Sequence, residues 1–243
     1  MDEEWLAGVD GCKDGWVVAL VAPAGDAVRV RVVHTFAEIV AAPERPAVIA
    51  VDMTIGLPDR VGPGGRAAES AVRPLLGARQ SAVFSVPSRA AVYAADYGVA
   101  CAVAFATSDP PRKVSRQLFM LTPKIREIDA LLTADVALAA RVFEVHPEVA
   151  FWRMNGEESL AEPKKVKSRP YEPGLALRRA LLVAAGLSAD VVQAPPPRGA
   201  GPDDLLDALA CAVTARRIAT GLARPFPDPP PVDRHGLRMA IWA

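Results

Sequence analysis

The chain has 243 residues, of which 51% are hydrophobic and 23% charged, so it can bury a large core and lacks the composition of a disordered protein. Lysine plus arginine and aspartate plus glutamate each number 28, so no overall positive charge attracts nucleic acid, and such binding requires local basic patches. The three cysteines lack close-pair spacing and support neither a disulfide framework nor a zinc cluster.

The N-terminal segment contains Asp2 and Glu3 and has neither the basic region nor the long apolar core of a signal peptide. No stretch approaches the roughly 18 uninterrupted apolar residues of a membrane span. Together with cysteines that suit a reducing compartment, these features lead us to expect a cytoplasmic protein that does not enter a membrane.

Short apolar runs dominate the first fifty residues. Two of them flank a glycine-bracketed turn, which is typical of a hairpin, and a third alternates valine with arginine, as in a strand with one wet face. The pattern predicts strands over residues 5–10, 16–21, 28–32 and 47–51, with a short helix over 36–42.

The middle of the chain predicts helices. About ninety residues separate Asp52 from the next convincing strand at 142–146, which is more than a crossover helix needs. We therefore expect a helical subdomain, at about 60–138, inserted into a single domain of residues 1–243. Within it, Pro123 interrupts a helical face, and we expect two helices, the second capped by Thr122.

The last hundred residues predict a strand followed by helices. After the strand at 142–146 comes a basic loop at 164–169. Helices are then expected from about 175 to 186 and from 203 to about 220, each ending at a glycine. The predicted class is α/β, with a mixed five-stranded sheet flanked by helices.

Acidic residues stand at the ends of these elements. Asp10 and Asp52 each follow an apolar strand, and Asp204 and Asp207 lie three residues apart at the start of the last helix, on one face. If they converge, their repulsion requires cations, and oxygen ligands suit Mg²⁺ or Mn²⁺. The pattern favours a metal site.

Each acid also has a structural interpretation. Asp10 resembles a turn aspartate before glycine, and acids at a helix start stabilise free amides and the dipole, a role we assign to Asp203. Glu144, within the fifth strand, is either a further ligand or the partner of an arginine. His146 fits a packed strand-end histidine better than a base.

A resemblance adds to these interpretations. The residues that carry it are Gly8-Val9-Asp10-Gly11-Cys12-Lys13, Val51-Asp52-Met53-Thr54-Ile55-Gly56-Leu57-Pro58, Gly77-Ala78-Arg79 through Ser85-Val86-Pro87-Ser88-Arg89, Pro123-Lys124-Ile125, Glu144-Val145-His146-Pro147-Glu148-Val149 and the final acidic helix. In this order they resemble the family of the domain of unknown function numbered 429, described as a predicted ribonuclease H-like nuclease. The chain departs from the family at Asp14, where a glycine is expected, and at Thr54, where a proline is expected. The run from Asp204 to Ala210 also resembles the end of Holliday-junction resolvases.

The resemblance implies a ribonuclease H-like fold with a helical insertion between strands four and five, and metal-dependent cleavage of DNA or RNA. The implied catalytic residues are Asp10, Asp52, Glu144 and Asp207, and the implied metal ligands are Asp10, Asp52, Asp204 and Asp207. Two cations are expected, with Asp10 bridging them. The candidate substrate contacts are Arg79, Ser85, Arg89, Gln117, Lys124, Lys164 and Lys165.

Two other functions remain open. An actin-like ATP-dependent phosphotransferase also begins with an aspartate and a phosphate-holding glycine turn, but it needs a second copy of the hairpin that this chain lacks. A non-catalytic interaction protein with a ribonuclease H-like fold fits the neutral net charge and the 6% aromatic content. Resolvase-like enzymes act as dimers, so a homodimer is a further possibility.

Overall fold

The computed structural model describes residues 4–22 and 27–243, so Asp2 and Glu3, on which the expectation of no signal peptide partly rests, lie outside it. Within these ranges the strands are β1 (Leu6–Cys12), β2 (Gly15–Val21), β3 (Val28–Val33), β4 (Val48–Val51), β5 (Val142–Glu144), β6 (Lys165–Val166), β7 (Arg169–Pro170), β8 (Pro225–Phe226) and β9 (Ile241–Trp242). The helices are α1 (Phe36–Val40), α2 (Ala67–Val72), α3 (Arg89–Val92), α4 (Tyr97–Ala106), α5 (Arg116–Ala134), α6 (Val136–Arg141), α7 (Pro147–Met154), α8 (Glu172–Ala184), α9 (Ala189–Gln193) and α10 (Pro202–Ala219), and a 3₁₀ segment spans Arg73–Ala82.

The central feature is a mixed five-stranded sheet with the strand order β3-β2-β1-β4-β5. The first three strands in the chain form an antiparallel meander, and β4 and β5 run parallel to β1. The predicted α/β class with a mixed five-stranded sheet is confirmed. Because β1, β4 and β5 are parallel, their carboxyl ends meet at one edge of the sheet.

Burial explains the composition of the strands. β1, β2 and β4 are almost continuously apolar because helices cover both of their faces, and almost all of their residues are buried. β3 alternates because it is an edge strand. Its valines pack toward the core, whereas Arg29 and Arg31 bind Glu44, with 2.7 Å between Arg31 Nη2 and Glu44 Oε2.

Each face of the sheet has its own hydrophobic core. On one face, Val9 and Val51 pack with residues of α1, α3, α4, α5 and α6. On the other, Ala50 and Val145 pack with α7, α8 and α10. Of the helices between β4 and β5, α3 to α6 therefore share a core with the sheet, whereas α2 and the 3₁₀ segment pack in a third cluster with Val149, Trp152 and Ile241. Their interpretation as an inserted subdomain at 60–138 stays a prediction.

The expected break at Pro123 is absent, and α5 is one continuous helix with Ser115 as its N-cap. The prediction of two helices capped by Thr122 was wrong. Pro123 has no amide hydrogen for the carbonyl of Phe119, four residues earlier, but the Thr122 hydroxyl donates to that carbonyl at 2.8 Å. This side-chain hydrogen bond replaces the missing backbone one, so the helix tolerates the proline.

Two smaller findings complete the comparison with the predicted elements. α8 begins at Glu172, earlier than expected, because Pro173 fits the first helical turn, where no amide hydrogen is needed. Cys12, Cys101 and Cys211 are all buried and unpaired with one another. Across the described ranges, no helix combines the length and apolar character needed to cross a membrane.

The closest contact between layers is that of α10 with β1. A Cβ atom placed on Gly8 would lie 2.0 Å from the amide nitrogen of Ala212 and 2.1 Å from the carbonyl oxygen of Ala208. The helix backbone thus lies directly on the strand, which only glycine allows. The helix residues that make this approach, Ala208 and Ala212, both have small side chains.

We predict that Gly8→Ala lowers the free energy of unfolding by about 2 to 3 kcal/mol, because the new methyl group must push two backbones apart. Urea unfolding measures this change. The matched control is Gly62→Ala, since a Cβ at Gly62 meets nothing within 4 Å in the described residues and its φ is not positive. Equal stability of the two variants would contradict the described packing.

Candidate metal centre

The first two acids of the site are brought together by strand register. In the parallel pair β1 and β4, Val9 lies opposite Val51, and the amide of Asp52 donates to the carbonyl of Val9 at 2.9 Å. Asp10 and Asp52 are the next residues of the two strands. They therefore stand side by side at the carboxyl edge of the sheet, as the sequence predicts.

The third acid comes from α10. Asp207 precedes Ala208, which contacts the β1 backbone at Gly8, so the close approach of helix and strand carries its carboxylate to the same edge. One carboxylate oxygen each from Asp10, Asp52 and Asp207 lies within 4.8 Å of the others. Only 7% of Asp10 and 2% of Asp207 are exposed to solvent, whereas Asp52 is half-buried.

The pKa values of all three carboxylates are raised above their usual range. Burial is the largest cause at each of them, and it raises all three pKa values, that of Asp207 to about 6. The charges of Asp52 and Asp207 raise the pKa of Asp10 further, and the charge of Asp52 raises that of Asp207. Close negative charges in a buried place are costly, so the cluster favours any cation that can enter it.

One cation is already supplied by the chain. The ammonium group of Lys164 donates a hydrogen bond to Asp207 Oδ2. In contrast, Asp207 Oδ1 is buried and has no hydrogen-bond partner within residues 4–22 and 27–243. A buried carboxylate oxygen without a partner is rare. This free oxygen, together with the oxygens of Asp10 and Asp52, is the hard-ligand set that Mg²⁺ and Mn²⁺ prefer.

The cluster lies against a cavity of about 420 Å³. Its polar wall contains Asp10, Asp52, Gln117, Glu144, His146, Glu148, Lys164 and Lys165, and its apolar wall contains Met53, Phe84, Leu118, Leu121, Ile125 and Ile241. The volume is that of an ordinary small-molecule site. Asp10 and Asp52 are therefore accessible to a substrate from the cavity, whereas Asp207 is not among the lining residues.

Glu144 lies in this cavity wall, but not in the acidic cluster. It stands opposite Val51 in the sheet, so the strand pleat directs it to the face opposite that of Asp52. Its carboxylate accepts from Arg66 Nη1 at 3.0 Å and from the Ile55 amide at 2.8 Å. Of the two interpretations left open by the sequence, the geometry supports the partner of an arginine.

Neither acid at the start of α10 has the role expected from the sequence. Asp204 accepts from the amide of Gly201, the N-cap residue, at 2.8 Å, so it and not Asp203 satisfies the helix start. Asp203 is buried and forms an ion pair with Lys165 at 2.6 Å. The structure does not bring Asp204 into the group of three carboxylates, because its side chain turns back to the preceding loop.

Two of the basic substrate candidates are held by protein groups. Arg89 is buried, and its guanidinium binds Asp129 and Asp233, with 2.7 Å between Nη2 and Asp233 Oδ2. Lys124 donates to the carbonyl of Gly15 and lies 4.3 Å from the centroid of the Trp16 ring. Both side chains stabilise the fold in this conformation, in place of the substrate contact expected from the resemblance.

The remaining candidates are divided. Gln117, Lys164 and Lys165 line the cavity. Ser85 donates to the Gly64 carbonyl at 3.0 Å and lines a neighbouring cavity of about 300 Å³. Arg79 lies in the 3₁₀ segment. It is not among the described residues that line these two cavities.

Glu148 has a place at the site that the sequence does not predict. Glu148, in the first turn of α7, lines the cavity and accepts from the buried Arg178 at 2.6 Å. Its charge raises the pKa of both Asp52 and Asp207, whereas a charge on His146 lowers that of Asp52. Pro147 begins α7 at the edge of the sheet. A proline at this point of the sequence predicts a helix start, and such a start places His146 and Glu148 near the acids.

We predict that Asp10→Asn stabilises the metal-free protein at pH 7.5 by roughly 1 to 3 kcal/mol, because it removes one of the three repelling charges. The pKa of Asp207, about 6, exceeds the unfolded value, so the folded state binds this proton more tightly. The proton on Asp207 therefore stabilises the folded state fully below about pH 4, and this stabilisation is lost as pH rises through 6. Near pH 5, Asp207 is largely protonated and no longer repels Asp10. The gain in stability of Asp10→Asn over the wild type therefore shrinks toward pH 5.

Urea unfolding in a chelator at pH 5 and pH 7.5 measures this difference. Asp59→Asn is the matched control. Asp59 is exposed, and among the described residues it forms an ion pair only with the exposed Arg234, at 3.3 Å. A wild-type protein more stable than Asp10→Asn at pH 7.5 without metal would contradict the electrostatic account.

Comparison with known proteins agrees with the motifs. Residues 8–232 match the model of a family described as Protein of unknown function (DUF429), and this range includes all three clustered acids. No curated protein and no solved structure matches the chain significantly. Because the family match covers most of its length, the chain belongs to the DUF429 family of proteins of unknown function.

Proposed function

We propose that the protein is a metal-dependent phosphodiesterase that hydrolyses nucleic acid. The observation that carries this proposal is the convergence of the Asp10, Asp52 and Asp207 carboxylates, two of which, Asp10 and Asp52, line a cavity. A buried Asp207 oxygen has no partner in the described residues. Carboxylates crowded in this way suit a divalent cation, and Mg²⁺ or Mn²⁺ is the class that oxygen ligands select.

The topology supports a ribonuclease H-like interpretation of this site. An antiparallel β1-β2-β3 meander continues into the parallel strands β4 and β5, and acids follow the first and fourth strands. A late helix supplies the third acid. This is the arrangement that the family resemblance implies, and it favours nuclease chemistry over an actin-like phosphotransferase.

The residues have distinct tasks in this chemistry. Asp10, Asp52 and Asp207 would hold the cation, which would polarise a phosphate oxygen and lower the pKa of water. In the hydrolysis, water would lose a proton to solvent as its oxygen bonds to phosphorus. The bond from phosphorus to the leaving sugar oxygen would break, and that oxygen would take a proton from solvent. The apolar wall at Phe84 and Leu118 limits the water that surrounds the reacting phosphate.

The shape of the site favours a single strand as substrate. Asp10 is almost completely buried and lines a cavity whose volume suits one or two nucleotide units. The net charge of zero provides no broad positive face for a duplex backbone. We therefore propose that a single-stranded segment or a strand end enters the cavity.

The direct test incubates the purified full chain with single-stranded DNA, single-stranded RNA and duplex DNA, each with Mn²⁺ or with chelator. We expect Mn²⁺-dependent cleavage that is faster on a single strand. Asp10→Asn and Asp52→Asn should each lower kcat by at least about a hundredfold, because each removes a cation ligand.

Asp59→Asn is again the control and should cleave at the wild-type rate. Because the wild-type chain is folded in every reaction, an inactive result cannot come from misfolding. Absence of Mn²⁺-dependent cleavage on all three substrates would reject the proposal, as would cleavage that persists unchanged in Asp10→Asn.

A further inference from the structure

We propose that Lys164 is the second cation of this site, so that the chain binds one divalent metal ion and uses a lysine where a two-metal enzyme has its other metal. This inference rests on the proposed function, whose metal site it describes more closely. If two cations were bound and bridged by Asp10, as expected from the sequence, Asp52 and Asp207 would each complete the shell of one of them. The structure shows a lysine ammonium in contact with the Asp207 carboxylate.

The contact divides the oxygens of Asp207 between two roles. Oδ2 accepts from Lys164, and Oδ1 remains without a partner in the described ranges. Asp207 therefore has one oxygen for a metal ion shared with Asp10 and Asp52, and its other oxygen is occupied. A second metal ion at Oδ2 would stand within contact distance of a positive charge.

Lys164 is also held in place, unlike an ordinary surface lysine. Its carbonyl accepts from the amide of Tyr171 at 3.0 Å, which closes the hairpin of β6 and β7. Pro163 lies directly against α8, since a Cβ at Gly174 would be 1.8 Å from its carbonyl oxygen. The Glu162 carbonyl accepts from Arg178 Nη1 at 3.0 Å.

This anchoring links the lysine to the rest of the site. Arg178 is fully buried and also binds Glu148, a residue of the cavity wall. The loop that carries Lys164 is thus fixed by the same arginine that neutralises Glu148. Lys164 is 29% exposed at the side chain, and its ammonium group points inward to the acids.

Lys164 places a positive charge at the acidic cluster. Its ammonium group contacts Asp207, whose carboxylate is grouped with those of Asp10 and Asp52. Beside a bound phosphodiester it stabilises the negative charge that develops on oxygen, without giving up its proton.

The neighbouring lysine provides a comparison within the same hairpin. Lys165 is more exposed, at 43% of its side chain, and binds Asp203, which is not one of the three clustered acids. A change at Lys165 removes a positive charge near the cavity, but leaves the contact with Asp207 intact. Lys165 is therefore the matched position for separating a general charge effect from the specific one.

The test counts Mn²⁺ ions bound per folded chain at pH 7.5, by electron paramagnetic resonance of free Mn²⁺ with metal alone as the probe. We expect one Mn²⁺ for the wild type and for Lys165→Met. Lys164→Met should bind two, because the vacated Oδ2 of Asp207 becomes available. Lys164→Arg, which keeps the charge, should return the count to one.

In the cleavage assay, with Mn²⁺ held at a concentration that fills only the first site, Lys164→Met should lower kcat by roughly a hundredfold with little change in KM, and Lys164→Arg should recover part of the loss. Two Mn²⁺ ions on the wild-type chain would overturn the inference and leave the proposed function standing. A count of one that stays one in folded Lys164→Met would also overturn it. If that variant does not fold, the wild-type count alone decides.

The ion count and the cleavage assay together distinguish the lysine proposal from the nuclease proposal. A wild-type chain that binds one Mn²⁺, with two in Lys164→Met, but cleaves no nucleic acid would reject the nuclease and support the lysine as the second cation. Binding of no Mn²⁺ by the wild type would overturn both.

Discussion

The contact between the backbone of α10 and Gly8 of β1 is the constraint on which the site depends. A side chain at this position would collide with Ala208 and Ala212, so glycine lets the helix lie on the strand at backbone distance. Asp207 precedes Ala208 and is carried to the strand edge by the same contact. Parallel register supplies Asp10 and Asp52 at that edge. Close packing of the helix backbone on the strand backbone thus brings the carboxylates together, although the carboxylates repel one another.

Buried cations offset much of the remaining negative charge around the cavity. Arg66 binds Glu144 and Glu69, Arg178 binds Glu148, and both arginines are almost fully buried. These pairs leave the three aspartates as the group whose charge is not balanced by arginine. Lys164 compensates only one charge of that group. The three aspartates therefore keep an excess of negative charge, and this excess attracts a divalent cation to one position. The other acids of the cavity wall are already paired by hydrogen bonds and ion pairs.

Much of this site is predictable from sequence because its determinants are local. Asp10 and Asp52 each end an apolar run, and the spacing within α10 identifies Asp207. The five-stranded α/β sheet follows from the same runs. The pairing of Glu144 with Arg66, 78 residues apart, leaves no local pattern. The same holds for Lys164 and Asp207, 43 residues apart. The continuity of α5 through Pro123 depends on the hydrogen bond that the Thr122 hydroxyl donates to the Phe119 carbonyl. Helix propensities of single residues do not predict such a bond.

The measurement that tests the account most directly is the anomalous scattering of a crystal soaked in Mn²⁺. The account predicts one strong peak within about 2.0 to 2.4 Å of carboxylate oxygens from Asp10, Asp52 and Asp207, with the Lys164 ammonium still beside Asp207 Oδ2. A peak at another place, no peak at these acids, or a second peak in the position of the ammonium would contradict it.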